Sequence, residues 1–300
     1  MRRVFITGAG GFIGRHLLAA MALGDDHIIA LSRSPVPKND RCNWIEGTIF
    51  DESLVEAIFQ ELKPTHLIHL AWTAAPVHFW EDPANNAWLK ASEALMELAT
   101  STSVSHIISM GTSAEYIWDG GLCDEESTAL EPWSTYGRSK AALHATARFL
   151  SVERGVSLSW LRLFFPYGPG EPPEKFLSAM ITHGLRDAKI ILRDPERKLD
   201  VIHIDDVIAA IGVVLAACPD QAVNVACGRG VMLRELAQII ASELGRGRVK
   251  IIEEAAEHPA PDVIASVARL RSLGWTPQRE LIGSVTKMVR DVTLVNKDVP

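Results

Sequence analysis

The chain has 300 residues, 47% of them apolar, which is enough to bury a large core in one large or two modest domains. A net charge of −7 with no Lys/Arg run excludes an extended nucleic-acid surface, and the four cysteines, Cys42, Cys123, Cys218 and Cys227, contain no Cys-x-x-Cys pair, so neither a disulfide framework nor a zinc site is expected. After Met1-Arg2-Arg3 the apolar run is broken by Thr7-Gly8, and no later stretch reaches membrane-spanning length; the expectation is a soluble, cytoplasmic chain whose partner is a small molecule, not nucleic acid or membrane.

In chain order, Val4 to Ile6 predicts a strand and Phe12 to Met21 a helix. Further strands are expected at His27 to Ser32, Asn43 to Ile45, His66 to Ala71, Ser105 to Met110 and Leu158 to Phe164, with crossover helices at Leu54 to Leu62, Ala91 to Thr100 and Lys140 to Arg154. This alternation predicts an α/β fold with a doubly wound parallel sheet. Beyond Arg162-Leu163-Phe164-Phe165-Pro166-Tyr167-Gly168-Pro169-Gly170 the pattern changes to Pro172-Pro173 and a helical stretch from Phe176 to Leu185. Val201 to Val207, followed by an apolar helix to Ala217, returns to the sheet, and helices are expected at Leu233 to Leu244 and Val263 to Leu273.

Two motifs carry the chemistry. Thr7-Gly8-Ala9-Gly10-Gly11-Phe12-Ile13-Gly14 lies between the first strand and the first helix, where glycines turn tightly and let backbone approach a pyrophosphate at a helix N-terminus. Tyr136-Gly137-Arg138-Ser139-Lys140 places a phenol and an ammonium four residues apart on one helical face, a spacing for which only about 0.1 accidental pair is expected with so few tyrosines. A cation there is expected to lower the phenol pKa and make Tyr136 a proton donor to a ketone oxygen. A hydroxyl is also needed to hold the carbonyl, and Gly111-Thr112-Ser113-Ala114-Glu115-Tyr116, after the apolar run His106 to Met110, offers candidates. Together these imply oxidoreductase chemistry on a nicotinamide dinucleotide.

The second strand ends in Ser32-Arg33-Ser34, where an NAD-preferring protein places an acid on the ribose 2′-hydroxyl; a guanidinium and hydroxyls suit a 2′-phosphate, so NADP is expected over NAD. His66 and His69, three apart on a strand, face opposite sides and are not a metal pair. Trp72, Trp80 and Trp88 recur every eight residues and are expected to pack in the core, Trp72 excepted because it is next to the site.

On these motifs the chain resembles the extended short-chain dehydrogenases/reductases of the NAD-dependent epimerase/dehydratase family, and is most similar in pattern to nucleotide-sugar 4-ketoreductases. The resemblance implies a Rossmann-type domain at 1–165 plus about 200–226, with a smaller interleaved substrate-binding lobe at about 166–199 and 227–300. It implies Thr112, Tyr136 and Lys140 as catalytic residues. It implies cofactor contacts from Gly8, Gly10, Gly11, Phe12, Ile13, Gly14, Ser32, Arg33, Thr48 (where relatives carry Asp), Leu70, Ala71, Trp72, Tyr136, Lys140 and Pro166. Substrate contacts are expected from Trp72, Thr112, Ser113, Phe165, Tyr167, Arg197 and Lys198, with no metal.

The departures narrow the reaction. Dehydratases place acids directly after the catalytic Thr, whereas here Ser113 and Ala114 follow and Glu115 is expected to point elsewhere. Phe165 stands where sugar-nucleotide relatives carry a diphosphate-binding Asn, and Leu199 replaces an Arg, leaving Arg197 and Lys198 as substitutes. His203, Asp205 and Asp206 resemble the family's structural cluster. The implied function is NADP(H)-dependent reduction of a keto group, C4 of a nucleotide-linked 4-keto-6-deoxyhexose. The alternatives are an NAD-dependent 4-epimerase, a reductase of a non-sugar ketone or aldehyde, and a non-catalytic cofactor sensor. Relatives also imply a homodimer, supported by apolar Leu95, Met96, Leu143 and Ala147 on the helices that would pair.

Overall fold

The computed structural model describes residues 1–35, 42–73, 79–245, 247–254 and 256–297. Its centre is a seven-stranded sheet made of β1 (Arg3–Thr7), β2 (His27–Ser32), β3 (Cys42–Glu46), β4 (His66–His69), β5 (His106–Thr112), β6 (Ser157–Leu163) and β7 (Ala222–Val225). The spatial order is β7-β6-β5-β4-β1-β2-β3, with every neighbouring pair parallel. This is the expected doubly wound Rossmann-type sheet.

Because parallel strands are covered on both faces, their sequences run as continuous apolar blocks whose alternate residues serve different layers. Val4, Ile6, Ala30, Ile68 and Ile108 pack toward helices α1 (Phe12–Met21) and α4 (Ile204–Ala217). Phe5, Ile29, Leu31, Leu67 and Ile107 pack toward α2 (Ala84–Thr100) and α3 (Thr135–Arg154). Leu95, Met96, Leu143 and Ala147 are buried in this second layer, so they seal the sheet and are not free for an interface; Phe149 and Val152 of α3 are exposed instead.

A second core is built by Tyr116, Phe164, Tyr167, Leu177, Ile181, Leu199, Val231, Leu236 and Val285, among others. Helices Phe176–Asp187, Leu233–Gly245 and Leu281–Lys297 surround it, together with short strand pairs such as Phe165–Tyr167 with Val201–His203.

Several expected boundaries move. Helix α2 begins at Ala84, seven positions before the expected Ala91, because Asp82 accepts from the Ala84 N–H and Pro83 presets the entry, while the polar Asn85-Asn86 hides the apolar period. Helix α3 begins at Thr135 because the Ser134 side chain accepts from the Gly137 N–H. Val263 to Leu273 is not a continuous helix: Ile264–Ala265 pairs with Leu122–Cys123 and only Ala268–Ser272 is helical, as the β-branched Val263-Ile264 pair favours. Among the described residues no helix is long and apolar enough to cross a membrane.

Candidate active site

Parallel strands bring all their C-terminal ends to one edge, and the direction of winding switches between β1 and β4, which opens a crevice there. Gly8 follows β1 and Leu70 follows β4, so both border it. Gly8 has φ +71°, and a Cβ on it would lie 2.7 Å from the Ala71 backbone nitrogen, so the turn admits no side chain. No side chain caps α1, whose N-cap is Gly11, leaving the first-turn N–H groups, those of Phe12 and Ile13 included, directed at the crevice. The cleft is lined by Gly8, Gly10, Gly11, Leu31, Ser32, Arg33, Ser34, Gly47, Thr48, Ile49, Leu70, Ala71, Trp72 and Trp88. These residues fit a dinucleotide: a backbone cradle for a pyrophosphate and, at the far end, a guanidinium with no carboxylate among the lining residues.

Arg33 is exposed and makes no ion pair with any described residue. Ser32 is buried, its hydroxyl accepting from the Ser34 N–H at 3.1 Å and occupying the space a Cβ on Gly10 would need. Beneath the cleft, Thr7 and His69 share a 2.8 Å hydrogen bond, and the second ring nitrogen of His69 meets Ser92 at 3.0 Å. Burial, aided by the Lys140 charge, pushes the His69 pKa down to about 3, so the ring is a neutral strut. Gly14 is buried in the first turn of α1, while Phe12 and Ile13 lend their side chains to the core below it.

At the end of the crevice away from Arg33, Thr112 ends β5 beside Tyr136, and its side chain acts against burial to lower the phenol pKa. The close approach depends on Gly137, since a Cβ there would meet the Ala114 carbonyl oxygen at 2.3 Å. The Tyr136 N–H also donates to the Trp80 carbonyl at 2.9 Å. Lys140, one turn on and buried, donates from Nζ to the Met110 carbonyl at 2.8 Å and lies 3.9 Å from the centre of the Trp72 ring. Burial holds Tyr136 up at about 12 and Lys140 down at about 7. The expected lowering of the phenol pKa by Lys140 is not what governs Tyr136 here: burial raises it, and the phenol is held in its protonated, donating form.

Glu115 points away from the pocket, as expected. It is fully buried, ion-paired with Arg162 at 2.9 Å, and accepts from the Trp160 indole and from the Thr112 N–H at 2.8 Å. Arg162 in turn donates to the Tyr116 hydroxyl, which donates to Asn224. Breaking one partner of such a pair costs about 3–5 kcal/mol, so the network fixes the Thr112 turn. Nothing in the spacing of Trp160, His144 or Asn224 announces this role; only the fold brings Trp160 to Glu115, His144 to Arg162 and Asn224 to Tyr116.

The flank of Tyr136 away from the glycine turn is aromatic. Phe79, Trp80 and Trp72 surround Tyr136 with ring centres 5.2, 5.8 and 6.4 Å away. Trp80 continues to Trp118 and Trp133, and Trp118 to Phe165 and the Arg197 guanidinium. Trp88 packs against the second-layer core as expected while also lining the cleft beside Trp72, whereas Trp80, half-buried, departs from the expectation: it belongs to neither core and sits among the rings around Tyr136. Tyr167 departs in the opposite sense. It is buried in the second core, packed edge to face on His203 with ring centres 5.4 Å apart; it shares a strand face with Phe165 two residues earlier, but lies deeper toward that core, where Phe165 is half-buried. Pro166, between them, is half-buried. Ser113 is buried and its carbonyl accepts from Trp118 Nε1, whereas Lys198 is exposed on its strand. Trp118 and Lys175, whose Nζ lies 4.2 Å from the Phe79 ring centre, were not singled out by the sequence.

Fold and site together define a dinucleotide-dependent oxidoreductase of the extended short-chain type. The family model described as "NAD dependent epimerase/dehydratase family" matches residues 4–226, and the chain belongs to that family. It is 24% identical over 309 residues to the dTDP-4-dehydro-6-deoxyglucose reductase of Escherichia coli, covering 96% of this chain and 97% of the relative. It is 22% identical over 298 residues to a putative UDP-glucose 4-epimerase of Methanocaldococcus jannaschii, covering 95% and 97%. Among solved structures, MoeE5 in complex with UDP-glucuronic acid and NAD superposes with a TM-score of 0.85 at 25% identity, covering 98% of this chain and 99% of MoeE5.

Proposed function

We propose that this enzyme reduces a keto group with NADPH, the substrate being a nucleotide-linked 4-keto-6-deoxyhexose reduced at C4. The observation that carries the reading is the meeting of Thr112, Tyr136 and Lys140 beside a cleft whose far end holds Arg33 and no carboxylate. The glycine loop and first turn of α1 take the pyrophosphate. Arg33, with Ser34 held in place by Ser32, takes the 2′-phosphate, and Thr48, Leu70, Ala71, Trp72 and Pro166 line the path to the nicotinamide. When bound, the cofactor supplies hydride to the carbonyl carbon. The hydroxyls of Thr112 and Tyr136 hold the carbonyl oxygen and Tyr136 gives it a proton, the role for which its protonated state suits it. Lys140 contacts the nicotinamide ribose. Trp118 and Phe165 face the sugar nucleotide, and Arg197, stacked on Trp118, meets its diphosphate.

Sequestration of Glu115, with Ser113 and Ala114 the intervening residues, supports reduction over dehydration. Exposed Phe149 and Val152 on α3 support a homodimer, and the four free thiols suit a reducing cytoplasm. A second reading, an NAD-dependent 4-epimerase, is favoured by the Methanocaldococcus relative and by the NAD complex of MoeE5. A spectrophotometric screen of NADPH and NADH oxidation against nucleotide-linked 4-keto-6-deoxysugars and simple carbonyls tests the proposal. Sugar-dependent NADPH oxidation is expected. Sugar interconversion without net cofactor use identifies the epimerase, turnover of simple carbonyls alone identifies a non-sugar reductase, and no turnover leaves a cofactor-binding protein.

A further inference from the structure

At the edge of the sheet opposite the cofactor crevice, the first residues of β4 and β5 are both histidines. His66 and His106 are register partners with rings edge to face, centres 5.9 Å apart. Cys218, in the left-handed turn that ends α4 (φ +48°), comes down beside them, and one donor atom from each of the three lies within 4.8 Å of the others.

The surrounding hydrogen bonds fix the tautomer of His106 and occupy one ring nitrogen of His66. Ser159 Oγ donates to the Pro219 carbonyl at 2.5 Å, so toward His106 Nε2, 2.8 Å away, it accepts; His106 carries its proton on Nε2 and a lone pair on Nδ1. That Nδ1 is buried with no partner among the described residues, on a side chain only 2% exposed. Thr65 Oγ1, which accepts from the Arg3 N–H at 3.0 Å, engages His66 Nδ1 at 2.9 Å and so leaves Nε2 as the His66 nitrogen without a protein hydrogen bond among the described residues. A hydroxyl or carbonyl fixing the remote N–H while the other nitrogen presents its lone pair is the arrangement metal-binding histidines use. An orphaned buried acceptor otherwise costs free energy that nothing else at this edge repays.

We propose that His66 Nε2, His106 Nδ1 and Cys218 Sγ bind one zinc-class divalent cation. Bonds of about 2.0–2.3 Å would set tetrahedral donors roughly 3.5 Å apart, so closure of about 1 Å by side-chain rotation completes the site. Binding displaces the thiol proton to solvent and forms one Zn–S and two Zn–N bonds, with water at the fourth position on the side where His66 and Cys218 are half-exposed. The Arg2 guanidinium lies within electrostatic reach of all three ligands; its ion pair with Asp26 at 2.7 Å offsets its charge, and Asp220 adds negative potential near His106. The ion would clasp two strands to the end of α4, far from Tyr136, as a structural site. It lies outside the Cys-spacing rules that led to no zinc being expected, because its ligands come from three separate elements.

The test uses tag-free, chelator-stripped protein titrated with Zn²⁺ against a chromophoric chelator, and with Co²⁺ followed by absorption. One equivalent is expected, with a thiolate-to-cobalt charge-transfer band in the near ultraviolet. Cys218→Ser and His66→Gln, both at half-exposed positions, should each weaken Zn²⁺ binding by more than about 100-fold, and the former should abolish the band. Cys42→Ser should change neither. In unmutated protein Zn²⁺ should protect Cys218 from maleimide, a readout independent of whether the variants fold. Equal Zn²⁺ affinity in wild type and Cys218→Ser, a cobalt spectrum without the sulfur band, or unprotected Cys218 at saturating Zn²⁺ would overturn the site.

Discussion

The cofactor cleft and the aromatic wall meet at Tyr136 but are made of different material. The cleft is mostly backbone: turns after β1, β2 and β4, with glycines where no side chain fits and an uncapped helix end. The wall is mostly rings, contributed by Phe79 and Trp80 before α2, Trp118 and Trp133 before α3, and Phe165 after β6. A backbone cradle recognises what every dinucleotide shares, whereas a wall of side chains sets which carbonyl compound is admitted. The two should therefore fail independently when perturbed, and three substitutions measure how far.

The largest effect is expected at the junction. Tyr136→Phe should lower the chemical rate by about 10² to 10⁴ while cofactor affinity stays near normal, because it deletes the proton donor and almost no binding surface. Single-turnover rates and cofactor dissociation constants check this, and near-normal turnover would remove Tyr136 from the chemistry. Arg33→Asp comes next, acting only on the cleft: it should shift preference from NADP toward NAD by roughly ten- to a hundred-fold, through loss of a charge-assisted contact and repulsion of the phosphate. If the wild type binds both cofactors equally, Arg33 is an ordinary surface residue and the epimerase reading gains. The smallest effect is on the wall. Trp118→Ala should raise KM for the carbonyl substrate by about three- to tenfold, the scale of one or two aromatic contacts, with cofactor affinity unchanged. A matching loss of cofactor affinity would show the two walls to be coupled.

The sequence by itself determined the sheet, the glycine turn and the Thr112, Tyr136 and Lys140 set, because these depend on local rules: strand and helix periods, the φ > 0 turn at Gly8, and the four-residue spacing that puts two groups on one helix face. It also anticipated that Glu115 turns away from the pocket. Only the tertiary structure decided where the other aromatics go. Trp80 and Trp88 reach the site while Tyr167 is buried, since an isolated ring carries no local mark of which surface it will meet. Packing likewise decided that burial governs the Tyr136 hydroxyl, and that Leu95 and Leu143 seal the sheet. It alone brought His66, His106 and Cys218 to one edge, because parallel strands align residues forty positions apart and a helix end returns from more than a hundred positions further on.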